Sequence, residues 1–203
     1  MAERTYHHGN LRAALIDAGL QLLEEGGIEA VGIRSAARVT GVSHAAPARY
    51  FPTATSFLAA VAAVGYERLA AALAEAVNSA EDALSAFRAA GLAYVAFARR
   101  EPNTFRALTH PSLADKSQHP DLLSASNRAF DVLRAAVVRA QADGHVVSAA
   151  PAALALTAWS TVHGISALIV DDQLAAKGYA DDPDDLAEEV LATLFLGLRP
   201  TEG

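Results

Sequence analysis

Residues Ile33 to Phe51 read IRSAARVTGVSHAAPARYF. Ile33 and Ala37 stand four apart, on one face of a helix predicted over about Ile33–Thr40. Gly41 follows at the place where a helix end favours positive φ. Val42 is the apolar plug of the turn, and Ser43 is a good N-cap for a second short helix over about His44–Tyr50. That spacing is the helix-turn-helix pattern, whose second helix can enter a DNA major groove. Pro47 lies inside this second helix, lacks an N–H and crowds the Ser43 carbonyl, so a local defect is expected. Phe51, aromatic and at a helix end, is expected to anchor the core rather than touch a base.

The same alternation of apolar helical stripes and breakers extends in both directions. Upstream, Leu11, Leu15, Ala18 and Leu22 form one stripe of a helix over about Gly9–Glu25, ended by Gly26-Gly27. Downstream, Phe51-Pro52-Thr53 breaks the chain, and Thr53 or Thr55 caps a long helix reaching about Val77. Further helices are predicted over about Glu81–Arg100, Asn103–Thr109, Asp121–Ala142, Ala149–Val170 and Asp184–Leu198, about nine in all. The segments His110–Pro120 and Asp171–Asp185 read as loops. Alanine makes up about a quarter of the 203 residues, and no run alternates with period two, so the fold class is all-α.

Composition excludes several classes. There is no cysteine, hence no disulfide or thiolate chemistry. The first ten residues, MAERTYHHGN, lack the apolar core of a signal peptide. The strongly apolar stretch Trp159–Val170, interrupted by five polar or glycine residues, is expected to be too short and polar to span a bilayer. No nucleophile elbow, phosphate-cradling glycine loop or HExxH helix is present, so no enzyme, cofactor or metal site is expected. His110 and His119 flank a loop containing Asp115, a spacing too sparse for a metal site.

The net charge of −7 is unevenly spread. Residues 1–51 carry five arginines against five acids, and the whole excess of negative charge lies in residues 52–203. An acidic body facing away from a neutral, arginine-bearing end is compatible with a polyanionic partner.

Residues 9–58 resemble the DNA-binding domain of the TetR-type transcriptional repressors. The resemblance is carried by LRAALIDAGLQLLEEGGIEAV, then IRSAARVTGVSHAAPARYF, then FPTATSFL. EPNTFRAL and the run Trp159-Ser160-Thr161-Val162-His163-Gly164 resemble one variety of that family's ligand domains. The resemblance implies a DNA-binding domain over residues 1–52 and an effector-binding and dimerisation domain over 53–203. It implies a cytoplasmic bacterial homodimer that binds a palindromic operator and is released by a small apolar or aromatic effector, with no membrane partner. Two departures bear on affinity: Ala48 stands where relatives place a phosphate-contacting tyrosine, and Ala54 where they place a lysine. The alternative is a small-molecule-binding protein of the same fold with weak or lost DNA binding.

In that frame His44, Ala45 and Arg49 are the expected base contacts, with Arg49 suited to guanine O6 and N7. Ser43, Arg34 and Tyr50 suit phosphates, and Arg4 on the N-terminal arm can follow a groove or the backbone. Phe87, Tyr94, Phe105, Phe130, Trp159 and His163 are candidates to line an effector pocket, or simply to fill the core. Trp159 and His163, four apart, can orient a polar group, although His163-Gly164 suits a dimer contact equally. Val162, Ile165, Ile169, Leu186, Val190 and Leu194 are the expected dimer face, implied by the family more than by the pattern.

Overall fold

A computed structural model describes residues 11–179 and 182–200. Among them there are eight α-helices, five 3-10 turns and no strand. The helices are α1 (Leu11–Gly26), α2 (Ile33–Thr40), α3 (Ala54–Asn78), α4 (Ala83–Arg100), α5 (Pro102–Leu108), α6 (Pro120–Ala142), α7 (Pro151–Val170) and α8 (Pro183–Gly197). Their ends fall where capping chemistry puts them. Gly41 closes α2 at φ 71°, with Gly41 N–H donating to Arg38 O and Val42 N–H to Ala37 O, the two bonds of a Schellman end. Thr53 and Ser56 exchange side-chain and backbone hydrogen bonds of 3.0 and 3.1 Å ahead of α3. Asp82 and Ser85 form the same box at α4, and the two Ser85 bonds hold the Asp82 carboxyl below its usual pKa.

Packing sorts the chain into two compact units. Among the described residues, the first comprises 11–65 and 103–123, and the second 66–102, 124–179 and 182–200. The first unit therefore takes in α5 and the following loop, beyond the continuous segment that the sequence suggested for the N-terminal domain. Its core holds Leu15, Leu23, Ala36, Phe51, Phe57 and Val61, with Val42 packed against them. Phe51 is 3 % exposed and meets Phe57 edge-on at 5.0 Å, the anchor that its position predicted. Within this unit Asn103 Nδ2 donates to the Glu24 carbonyl near the end of α1, at 3.2 Å.

In the second unit α4 packs on α7 and α8, and α7 packs on α8. The main core gathers Phe87, Leu133, Val137, Leu154 and Ala158, and a smaller one gathers Val95, Ile165 and Ala187. Gly91 lets α4 approach its neighbours closely: a Cβ there would sit 2.9 Å from Leu191 and 3.4 Å from Val162. Arg99–Asp184 and Arg128–Glu67 are ion pairs at the surface of this unit.

Two expectations change. By length and composition α3 and α7 are both apolar enough to cross a membrane, because α7 begins eight residues before Trp159 with PAALALTA. The most apolar window of α3 is 61 % buried inside the protein and that of α7 33 %, so α3 serves mainly as a core helix. The second correction concerns the predicted helix His44–Tyr50. It is a single 3-10 turn, Ala46–Arg49. Ala46 N–H donates to the Ser43 carbonyl at 3.1 Å, the i→i−3 bond of a 3-10 turn. Pro47 has no N–H to make the i→i−4 bond to that same carbonyl, so the first α-helical bond of this short segment is missing.

Candidate functional site

The 3-10 turn presents a row of side chains to solvent. Ser43, His44, Ala45, Ala48, Arg49 and Tyr50 are all exposed, whereas Pro47 is buried. Ser43 does not cap the turn through its hydroxyl, as was expected of it: the residue in the cap position is Ala45, and no side-chain bond is made. The Ser43 hydroxyl therefore lies on the surface beside His44. Arg34 and Arg38 are exposed on α2, a turn apart, and Arg38 lies in its last turn. The expected Arg4 contact lies outside the described residues.

Sequence reasoning missed the part of Arg12. Its guanidinium lies 5.8 Å from the Phe51 ring centroid and pairs with Asp121 at 2.8 Å. It borders a depression of about 200 Å³ that also includes Tyr50, Ser56 and His119. Only the position of Arg12 on α1, one residue into the helix, was visible beforehand.

In the second unit several expected effector residues come together at the seam of α4 and α7. The Tyr94 hydroxyl and His163 Nδ1 are 3.0 Å apart. Trp159 lies 6.0 Å from His163 and meets Phe130 edge-on at 6.1 Å. Burial pushes the Tyr94 phenol up to about 12, opposed in part by a hydrogen bond from the Trp159 side chain. Tyr66, buried beside it, is raised by burial and further by Tyr94. Burial lowers the His163 pKa, so the neutral imidazole is favoured, and its Nδ1 shares a hydrogen bond with the Tyr94 hydroxyl.

Two of the aromatic residues stand apart from this seam. Phe87 is 2 % exposed in the main core and packs edge-on against Phe195 at 4.9 Å. Phe105 is buried and belongs to the first unit, with α5. Ser166, which the sequence reading passed over, is 0 % exposed, and its hydroxyl makes no hydrogen bond. The available signal was a polar residue inside the apolar run ISALIV.

His163 and Gly164 face different ways. The imidazole is half-buried against Tyr94, while Gly164 is exposed with open space where a Cβ would stand. On the outer side of α7 and α8 runs a groove of about 720 Å³, floored by Ile165, Leu168, Leu186, Val190 and Leu194 and edged by Thr193. Of the expected dimer residues, Val162 is corrected: it is 3 % exposed and faces the Gly91 position of α4. Ile165 and Leu186 show only an edge, at 8 and 7 %. Ile169, Val190 and Leu194 are half-exposed, and Leu168 and Leu196 reach solvent more fully. The outward face of α7 is thus displaced by part of a turn from the expected one.

Among the described residues no group of three His, Cys, Asp or Glu side chains is placed to hold a metal ion.

Comparison with known proteins places the chain. Residues 87–194 match the family model described as the tetracycline repressor-like C-terminal domain. A structure of a protein of unknown function from Rhodococcus sp. RHA1 is similar at 31 % identity and TM-score 0.80, covering 98 % of this chain and 100 % of that one. The fold is also that of the fatty acid degradation regulator FadR from Bacillus halodurans, at 16 % identity and TM-score 0.70 over 93 % of this chain and 100 % of that one. It is shared by the regulator FadR from Bacillus subtilis in complex with stearoyl-CoA, at 14 % identity and TM-score 0.71 over 93 and 100 % of the two chains. No curated protein matches the sequence. The family model spans more than half of the chain, beginning in α4 and ending in α8, and the all-helical architecture agrees with it. The protein belongs to the TetR family of transcriptional regulators.

Proposed function

We propose that the protein is a sequence-specific DNA-binding repressor, released from its operator by a small apolar or aromatic effector. The observation that carries this reading is the exposed turn after Gly41, where His44, Ala45 and Arg49 point to solvent on a rigidly capped scaffold. Arg49 supplies a bidentate donor for guanine, and a pair of that kind discriminates by about 1–3 kcal/mol. Arg34, Arg38, Ser43 and Tyr50 supply phosphate contacts, whose share of the affinity falls as salt rises.

The protein acts as a cytoplasmic homodimer in this proposal, with the α7–α8 groove covered by the same groove of a second copy. Its apolar floor and the open Gly164 favour close approach of two helix pairs. A twofold dimer reads a palindrome, with half-sites spaced by whole turns of the duplex. An effector that binds better when the reading heads are wrongly spaced weakens DNA binding by the same factor that DNA weakens its own. The Tyr94–His163–Trp159 seam is the proposed effector contact.

A second reading has its own observation. The reading element is one 3-10 turn rather than a helix, and Ala48 and Ala54 offer no phosphate contact. Those features favour a ligand-binding protein of this fold whose DNA binding is weak. Selection of bound duplexes from random DNA separates the two. A recovered palindrome supports the repressor, whereas recovery of no preferred sequence even at low salt supports the ligand binder.

A further inference from the structure

The outer groove of α7 and α8 carries two charges on an otherwise uncharged lining. Among the described residues, Lys177 and Glu189 are the only charged ones that border it. Both are exposed, and neither side chain takes part in an ion pair or side-chain hydrogen bond of its own subunit.

Each of the two is held in place by its surroundings. Lys177 ends a 3-10 turn, Ala175–Lys177, which Gly178 closes at φ 87°. Leu174, at the head of that turn, packs against the small core of Val95, Ile165 and Ala187. Glu189 sits mid-way along α8, and its neighbours on that helix are already used. Asp184 pairs with Arg99 and Glu188 with Arg88, both on α4. One residue further round the helix, Glu189 borders the groove, where the subunit offers no arginine.

The threonines of α7 in the groove do little to set a register. Thr157 and Thr161 donate their hydroxyls to the carbonyls one turn back, those of Ala153 and Thr157. An apolar floor supplies affinity with little orientation, whereas charges at its edge fix the register and reject wrong ones. A face with one cation and one anion beside such a floor is complementary to its own copy. In a twofold interface each contact occurs twice, with the roles exchanged.

We propose that in the homodimer Lys177 pairs with Glu189 of the partner subunit on both sides of the axis, and that these two pairs fix the register of the α7–α8 faces. The inference deepens the homodimer reading above and rests on it.

Sedimentation equilibrium of the full-length protein in about 50 mM salt tests it. Lys177→Glu turns both contacts into facing carboxylates, and Glu189→Lys turns both into facing ammonium groups. Each variant alone dimerises about tenfold more weakly or worse. Mixed in equal amounts, the two variants form a heterodimer in which both contacts are again attractive, with an affinity within about threefold of the unsubstituted chain. The mixture is its own folding control, since a misfolded variant could not be rescued by the other. In about 0.5 M salt the gap between variants and unsubstituted chain narrows. Single variants that dimerise like the unsubstituted chain overturn the proposal. So does rescue when both substitutions share one chain but not when the variants are mixed, which assigns the pair to a single subunit. An unsubstituted chain that stays monomeric removes the homodimer reading and this inference with it. A dimer broken by Leu168→Arg but indifferent to both charge reversals leaves that reading standing and refutes the pairs.

Discussion

Replacing Gly19 with alanine would set a Cβ 2.5 Å from Val61 Cγ2 and 2.8 Å from Phe57 Cζ. Carbon atoms prefer about 3.5–4.0 Å, so the overlap approaches a full ångström on two sides. Neither neighbour can swing into solvent, since Val61 and Phe57 are both 0 % exposed. Alanine regains about 1 kcal/mol of helix propensity over glycine, and overpacking of this kind costs about 1–3 kcal/mol. The net expectation is a loss of up to about 2 kcal/mol once α1 and α3 are forced apart. Val61→Ala removes the closer obstacle and by itself costs about 2 kcal/mol of lost burial. In the double variant the new methyl enters the space that Val61 vacates, so the two losses should not add, with a coupling of about 1–2 kcal/mol. Urea unfolding followed by far-ultraviolet circular dichroism measures all four corners of the cycle. Fluorescence is unsuited, because Trp159 belongs to the other packing unit. Additivity within about 0.5 kcal/mol would refute the close approach of α1 to α3 through Gly19.

Arg49→Ala should weaken operator binding by about 10- to 100-fold and relax selection at one base pair in each half-site, as read by a repeated duplex selection. An unchanged preferred sequence would remove Arg49 from the base contacts. Leu168→Arg places a charge in the α7–α8 groove without touching the core of the subunit, and if the proposed dimer forms through this groove, sedimentation should show the variant as a monomer. For His163 the folded protein favours the neutral ring. Between the ordinary pKa of about 6.5 and the lower native one, the unfolded chain binds more protons than the folded one. Stability from this site is therefore complete above about pH 6.5 and is lost as pH falls from there towards the native value. His163→Gln should flatten that part of the stability–pH curve, and a steeper curve in the variant would contradict the assignment.

The parts of the fold governed by local chemistry were legible from the chain alone. Gly41 and Val42 make the Schellman end that their order suggests, and Thr53 with Ser56 caps α3. Helix ends set by Pro102 and Gly144 likewise fall within a few residues of expectation. Tertiary choices were not legible. Pro47 was correctly suspected of a defect, but whether the defect bends a helix or abolishes it depends on the few hydrogen bonds that so short a segment can make. The outward face of α7 could not be found by periodicity, because Val162, Ile165 and Leu168 are all apolar although only some of them face α4 or α8. Phe105 is indistinguishable in sequence from the other aromatic residues, because composition does not reveal the packing unit to which α5 belongs.

Around Pro47 the chain separates what holds it together from what it displays. The ring of that one proline is tucked inside, and residues 43–45 and 48–50 are left outside. Surface changes away from caps and cores usually alter folding stability by no more than about 0.5 kcal/mol. Six neighbouring positions can thus be rewritten almost independently of the scaffold, which makes this loop a natural cassette. Descendants of the chain, or a laboratory library randomised there, can acquire new preferences without first having to repair the frame that carries them.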